Sequence, residues 1–206
     1  MAGTGGLSIR LRMEGVEAAR RQLATLGRKV EPVLRGALDT TAADTRRQRY
    51  TPVIAPMFKS RSWVNQRIII KRVNALKGRF DARLIPSSAG VYVTEYRRWG
   101  YQQVDATRAR ILVGSFRGHK VAAGFVNPSS SARHPWATRR SVTRNVKKRG
   151  GLYTYTYGKY LQPAMGPSVA WFFKRLTNAA TVRWVNRRLE QEFQRRLRKE
   201  LLKGAR

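Results

Sequence analysis

The sequence predicts an α+β protein in which a long N-terminal helix and a long C-terminal helix pack on a mostly antiparallel sheet. Three observations carry that reading. Apolar residues recur at steps of three and four over 16–41 and again over 179–201, the mark of one-sided helices. They alternate at period two over 7–13 and in several short runs beyond Gly78, the mark of half-buried strands. The links between those runs are too short for crossover helices, so the strands pair antiparallel. At 206 residues, 42 % of them apolar and 10 % aromatic, the chain suits a single folded domain spanning 1–206, not a disordered basic tail.

Each element has a local reason. Leu7, Ile9, Leu11 and Met13 point one way against Ser8, Arg10 and Arg12, and a turn at Glu14-Gly15 closes the strand. Val16, Ala19, Leu23, Leu26, Val30, Val33, Ala37 and Thr41 then form one helical stripe. Pro32 kinks or restarts that helix; the charged stretch 44–49 continues it, and Pro52 and Pro56 end it. Ser60 and Ser62 are N-cap candidates for a short helix carrying Trp63, Arg67 and Ile70. Phe80, Ala82 and Leu84 share a strand face. Further strands are expected at Val91 and Val93, at Ile111 and Val113, and at Val121, Ala123 and Phe125, with Gly118-His119 as the turn between the last two. Residues 97–107 read as a loop. Residues 127–150 read as a long basic loop or projecting arm, ordered fully only when bound. Tyr153, Tyr155 and Tyr157 alternate with threonine as a strand with an aromatic face. Gly166-Pro167 turns the chain into a helix with Pro167 in the first helical position, and Trp171, Phe172 and Phe173 serve either the core or a subunit contact. The last helix carries Ala179, Val182, Val185, Leu189, Phe193, Leu197 and Leu201 on its stripe.

Charge is the outlier. Forty-three Lys and Arg against eleven Asp and Glu give a formal charge of +32, which repels itself unless something negative lies nearby. Arginine outnumbers lysine 32 to 11, favouring bidentate pairing with phosphate or carboxylate. The absence of cysteine excludes disulfides and thiolate metal sites. The start, Met-Ala-Gly-Thr-Gly-Gly, lacks a signal peptide's apolar run, and Ile68-Ile69-Ile70 is too short to span a bilayer. A soluble protein made in a cytoplasm is expected.

Catalysis needs converging acids or histidines. Glu14, Glu17, Glu31, Asp39, Asp44, Asp81, Glu95, Asp105, Glu190, Glu192 and Glu200 fall mostly on predicted helices beside Arg or Lys, as solvated ion pairs do. His119 and His134 lack metal-ligand spacing and adjoin turn-like sequence. The serines at 129–131 have no nucleophile-elbow context, and Gly166-Pro167-Ser168-Val169 lacks the glycine spacing and lysine of a phosphate loop. No enzyme, metal or cofactor is expected. Between Asp105 and Glu190 lie 84 residues without a carboxylate but with 17 Arg and Lys. The candidate contacts for phosphate or for an acidic subunit face are Arg133, Arg139, Arg140, Arg144, Lys147, Lys148 and Arg149, with Arg187 and Arg188 on the last helix. Trp136 and the three tyrosines flank the cluster, supplying stacking surface.

An ordered set of short motifs resembles a known family. It comprises Ala37-Leu38-Asp39-Thr40-Thr41-Ala42-Ala43-Asp44-Thr45-Arg46 on the first long helix, a basic helix and strand over 64–84, Ala123-Gly124-Phe125-Val126, Gly166-Pro167-Ser168-Val169, and Arg188-Leu189-Glu190-Gln191-Glu192-Phe193 on the last helix. Over 16–203 the chain resembles the minor tail protein Z family of tailed bacteriophages, departing from it at 99–107 and in a longer, more basic 127–150. The resemblance implies a non-enzymatic virion protein. It would complete the head-proximal end of the tail and join tail tube to neck as a homo-oligomeric ring, sixfold by expectation. The partners implied are tail terminator, tube, sheath or neck proteins and DNA in the tail channel, with no membrane; assembly would take place in the host bacterial cytoplasm. The alternative is a stand-alone nucleic-acid-binding protein, against which stands the lack of a helix-turn-helix or zinc motif.

Overall fold

In a computed structural model of the chain, helix follows strand within the first 24 residues, because apolar spacing changes there from two to three and four. The structure describes residues 7–9, 13–25, 29–74, 81–139, 142–148, 151–157 and 160–204. Strand β1 (Leu7–Ile9) precedes α1 (Met13–Ala24), so Met13, Glu14 and Gly15 belong to a helix and not to a strand end and turn. The fold is α+β with antiparallel sheets, as expected. Where one domain was expected, the chain forms two compact units. The first is built from 1–56, 60–89 and 168–206; the second, from 57–59 and 90–167, interrupts it in sequence.

In the first unit Pro32 restarts the helix. It stands in the first turn of α2 (Glu31–Thr45), where its missing N–H has no helical partner to lose. Helix α2 passes into a π-helical turn over Arg46–Tyr50 and then α3 (Thr51–Ile54) and a 3-10 turn. Pro52 therefore lies inside the helical run instead of ending it. The wider π turn just before it absorbs the hydrogen bond that a proline cannot make. Ser60 caps α4 (Arg61–Gln66), accepting from the Trp63 N–H at 3.2 Å. That helix stops at Arg67, and Ile70 falls in strand β2 (Ile68–Lys71). Strand β3 (Ala82–Pro86) lies between β1 and β2, burying Ala82, Leu84 and Pro86. Ser168 caps α5 (Val169–Leu176), so Pro167 precedes the cap and does not open the helix. Helix α6 (Ala179–Gly204) closes the unit.

The core of this unit joins Ala19 and Leu23 of α1, Val33, Ala37, Leu38 and Ala42 of α2, Ala82 of β3, and Val185, Leu189, Phe193 and Leu197 of α6. The predicted stripes thus hold for most of their length. At the start of α6, however, Thr181 is buried and Val182 exposed. The Tyr50 and Phe173 rings stack at 3.9 Å, and the tyrosine hydroxyl hydrogen-bonds Thr177 at 3.0 Å.

The second unit holds a seven-stranded antiparallel sheet and a separate hairpin. Its strands are β4 (Val91–Tyr92), β5 (Trp99–Gln103), β6 (Ala109–Ser115), β7 (Gly118–Val126), β8 (Trp136–Arg139), β11 (Tyr160–Pro163) and β12 (Met165–Gly166); the hairpin pairs β9 (Val142–Lys148) with β10 (Gly151–Tyr157). Val93 lies in a 3-10 turn, outside β4. The 97–107 segment contains a strand where a loop was expected. The 127–150 stretch, read as a loop or arm, carries β8 and β9. The turn between β6 and β7 is Phe116-Arg117, with Gly118 at φ +91° opening β7 and His119 already in the ladder opposite Gly114. The buried face of β7 is Ala122 and Val126; Val121 and Ala123 face outward, the reverse of the expected face. Pairing decides it, because Ala122 lies opposite buried Ile111 and Val126 opposite buried Ala109.

Gly166 and Pro167 have a packing role here. A Cβ on Gly166 would stand 2.9 Å from the buried Tyr96 ring, and the Tyr96 hydroxyl donates to the Pro167 carbonyl. Phe58 packs on the same ring at 4.8 Å. Burial pushes the Tyr96 hydroxyl far above its ordinary pKa, so it stays a donor.

Candidate polyanion-binding surface

Helix α6 is two-faced over nearly its whole length. One side buries Val185, Leu189, Phe193 and Leu197. The other presents Arg183, Arg187, Gln191, Gln194, Arg198 and Leu202, all exposed, at steps of three and four that keep them in one row. By helical rise the row from Arg183 to Arg198 is roughly 22 Å long. Glu190 is the acid exposed beside it.

The row is flanked by a second group of arginines from the π turn. Asp44, on α2, is buried. One of its oxygens, Oδ2, accepts from Arg188 Nε at 3.0 Å and Nη2 at 2.7 Å; the other, Oδ1, accepts from Arg47 Nη2 at 2.8 Å. Two guanidiniums on one carboxylate leave a net positive charge, and the Arg47 side chain is 70 % exposed. Arg49 lies over the Trp184 ring of α6 at 5.6 Å, a cation–π contact that holds its plane. Arg46 donates to the carbonyls of Asn65 and Ile68 at 3.5 and 3.3 Å, which leaves its full charge uncompensated by these contacts.

One turn further along α6, Glu192 is buried and takes Arg195 on both oxygens at 2.9 and 2.7 Å, with Arg196 Nε at 2.8 Å. Hydrogen bonding from Arg195 holds its carboxyl below the usual glutamate range against the opposing effect of burial; Arg196 adds to the lowering. Arg196 also reaches Thr40 on α2 at 2.9 Å. Asp81 is buried and accepts from Arg83 Nε. Two of the helical acids read as solvated pairs, Asp44 and Glu192, are therefore internal, and Asp81 beside strand β3 is internal as well. Asp105 is a turn residue. It accepts from the Thr107 and Arg108 N–H groups at 2.9 and 2.7 Å, and these bonds, the Thr107 one foremost, lower its pKa.

The sequence candidates are divided between the two units. Arg187 is exposed in the α6 row, whereas Arg188 points to Asp44. Arg133 is exposed, at φ +43°, where its N–H closes a turn on the Ser130 carbonyl at 3.2 Å. Arg139 ends β8 opposite Tyr160; in the hairpin Arg144 lies opposite Tyr155, Lys147 opposite Leu152 and Lys148 opposite Gly151. Arg140 and Arg149 lie outside the described residues. The expected reading missed Arg47, Arg49 and Trp184, although the run Arg46-Arg47-Gln48-Arg49 was visible. His134 packs on Trp136 at 4.5 Å. Among the described residues no three His, Asp or Glu side chains are placed to hold a metal ion, and no helix is long and apolar enough to cross a membrane. The chain matches no protein-family model, no curated protein and no solved structure.

Proposed function

We propose that the chain is a structural virion protein of a tailed bacteriophage, non-enzymatic, completing the head-proximal end of the tail and joining tube to neck as a homo-oligomeric ring, sixfold by expectation. The observation that carries this reading is the inward use of the acids. Asp44, Asp81 and Glu192 are each buried against arginines of the same chain, so the excess charge is left facing outward for neighbours to neutralise. Acidic faces of tube, terminator, sheath or neck subunits, and DNA in the channel, are the partners such a surface suits. The motif order resembling the tail-completion family supports the same conclusion. The test is the oligomeric state by light scattering, together with sedimentation on purified tail tubes and terminator rings. A ring that co-sediments is expected; a monomer that binds neither overturns the proposal.

The row Arg183, Arg187 and Arg198 favours one second reading, a stand-alone nucleic-acid-binding protein. It requires binding of free duplex that falls about 10³-fold or more between low and moderate salt when six or more phosphates are neutralised. Weak, sequence-indifferent binding by a ring-former speaks against it.

A further inference from the structure

We infer that the outward face of the seven-stranded sheet is a docking surface for an acidic protein with an apolar centre, and that it is the contact through which the second unit holds a neighbouring virion subunit. The inference rests on the proposed tail role for the identity of that neighbour, but its geometry does not.

Residues directly opposite on paired strands share a face. Register therefore gathers one continuous apolar strip across the sheet. Tyr92 on β4 pairs with Met165 on β12, which pairs with Ala123 on β7. Two residues along β7, Val121 pairs with Leu112 on β6, and Leu112 with Gly100 on β5. At the other end of β7, Phe125 pairs with Trp136 on β8, and Trp136 with Pro163 on β11, two residues from Leu161. Val121 is 56 % exposed, Leu161 53 % and Tyr92 48 %; Leu112, Phe125 and Trp136 are half-buried. The opposite face of β7 uses only Ala122 and Val126 for the core. Val121 and Phe125 thus add apolar side chains to the face away from buried Ala122 and Val126, a face that an ordinary one-sided sheet fills with polar residues. An exposed apolar strip of this kind marks a contact with another macromolecule.

Charge selects the partner. The second unit carries fifteen Lys and Arg against Glu95 and Asp105, and Asp105 is tied to Arg108 in its own turn. A second copy presenting the same face would set like charge against like around the strip. Nucleic acid fits poorly, because the centre of the strip is apolar and the cations that register sets on its face among the described residues, Arg110 and, opposite Gly114, Arg98, stand at its β5–β6 side with His119 at its end. An acidic protein surface satisfies both parts: its apolar centre covers the strip while its carboxylates meet Arg98 and Arg110 on the same face.

The experiment uses the full chain with tail tubes and terminator rings purified from the virus that encodes it, and a short DNA duplex as second probe. Val121→Thr and Leu112→Thr keep β-propensity and add no charge; the double variant should lose on the order of tenfold in affinity for the protein assembly and keep its affinity for the duplex. Val121→Glu should lose more. Ile69→Thr, which removes an exposed apolar side chain from β2 of the first unit, is the control and should bind as wild type. A thermal melt of each variant separates lost contact from lost fold, and a variant that melts early is replaced by Leu161→Thr. Wild-type binding that the substitutions leave intact overturns the docking face alone. Loss confined to the duplex overturns it too and assigns the face to nucleic acid. Wild-type protein that binds neither tubes nor rings overturns both this inference and the proposed role.

Discussion

Arg188 places two N–H groups, Nε and Nη2, on a single oxygen of Asp44, 144 positions earlier in the chain. This contact pins α6 against α2 at one register, beside an apolar seam that by itself tolerates sliding. Asp44→Ala should cost about 2–3 kcal/mol, because it removes the shared acceptor of three charge-assisted hydrogen bonds. Arg188→Ala should cost less, about 1–2 kcal/mol, since a third of that side chain is open to water and Arg47 keeps the carboxylate paired. In a double-mutant cycle by urea denaturation the two losses should be less than additive by about 1 kcal/mol; strict additivity would show that the pair does not couple the helices.

The same seam explains a glycine within α2. A Cβ on Gly36 would lie 2.2 Å from Arg196 Nη1, so Ala at this position must push the guanidinium off Thr40. Alanine in a helix interior otherwise stabilises by about 1 kcal/mol over glycine. Gly36→Ala should therefore gain nothing in the wild-type chain but about 1 kcal/mol in an Arg196→Ala background. Equal effects in both backgrounds would mean that Arg196 yields without cost.

Glu192 should give stability an acid-side slope. Its carboxyl is held low by Arg195 and Arg196, so its folded pKa lies below its unfolded one. The contribution is complete above the unfolded value of about 4.3 and is lost as pH falls through the folded value. Chemical denaturation of wild type and Glu192→Gln between pH 3 and 7 should show wild type the more stable near neutrality, with the difference shrinking towards pH 3. A constant difference would remove Glu192 from the titration.

Much of the first unit was legible because its helices bury long periodic stripes. The steps of four from Val185 to Leu197, and from Val33 to Ala37 and Thr41, survive intact in the core. What was not legible depended on partners distant in sequence. Nothing local to Asp44 tells that Arg188 will cover it, so the acid reads as a surface residue. Nothing local to Val121 and Ala122 tells which one Ile111 will bury. Pro52 read as a stop because the π turn that accommodates it is a property of the folded helix, not of a motif. In the candidate surface, Arg187 and Arg188 looked equivalent; a one-residue step on a helix turns a side chain about 100°, which sends one to solvent and the other to Asp44.

Gly124 should be intolerant for a backbone reason. It has φ +133°, and a Cβ there would meet the Trp136 carbonyl oxygen at 2.4 Å. It lies where the β6–β7 register shifts, between the Ala109 and Ile111 pairings, and where β8 joins β7. Gly124→Ala should lose about 2–4 kcal/mol, read as an earlier melt with reduced near-UV signal from the aromatic residues. A melt within a degree or two of wild type would show that the sheet relaxes freely here.

Arg187 and Arg188 are neighbours that should fail in different assays. Arg187 is in the exposed α6 row with Arg183 and Arg198, while Arg188 is committed to Asp44. If the row meets phosphate, Arg187→Ala should weaken duplex binding and lower the salt slope by about 1 while leaving the urea midpoint unchanged. Arg188→Ala should move the midpoint and disturb binding only as far as the fold loosens. Arg183→Ala and Arg198→Ala should repeat the Arg187 behaviour, because helical spacing sets them in the same row. If the row instead meets acidic subunits, the same three substitutions should weaken sedimentation with tubes or rings while duplex affinity stays put. The outcome that removes the row from either role is three variants that bind both probes as wild type does, which would leave such contacts to cations outside the row, the exposed Arg47 among them.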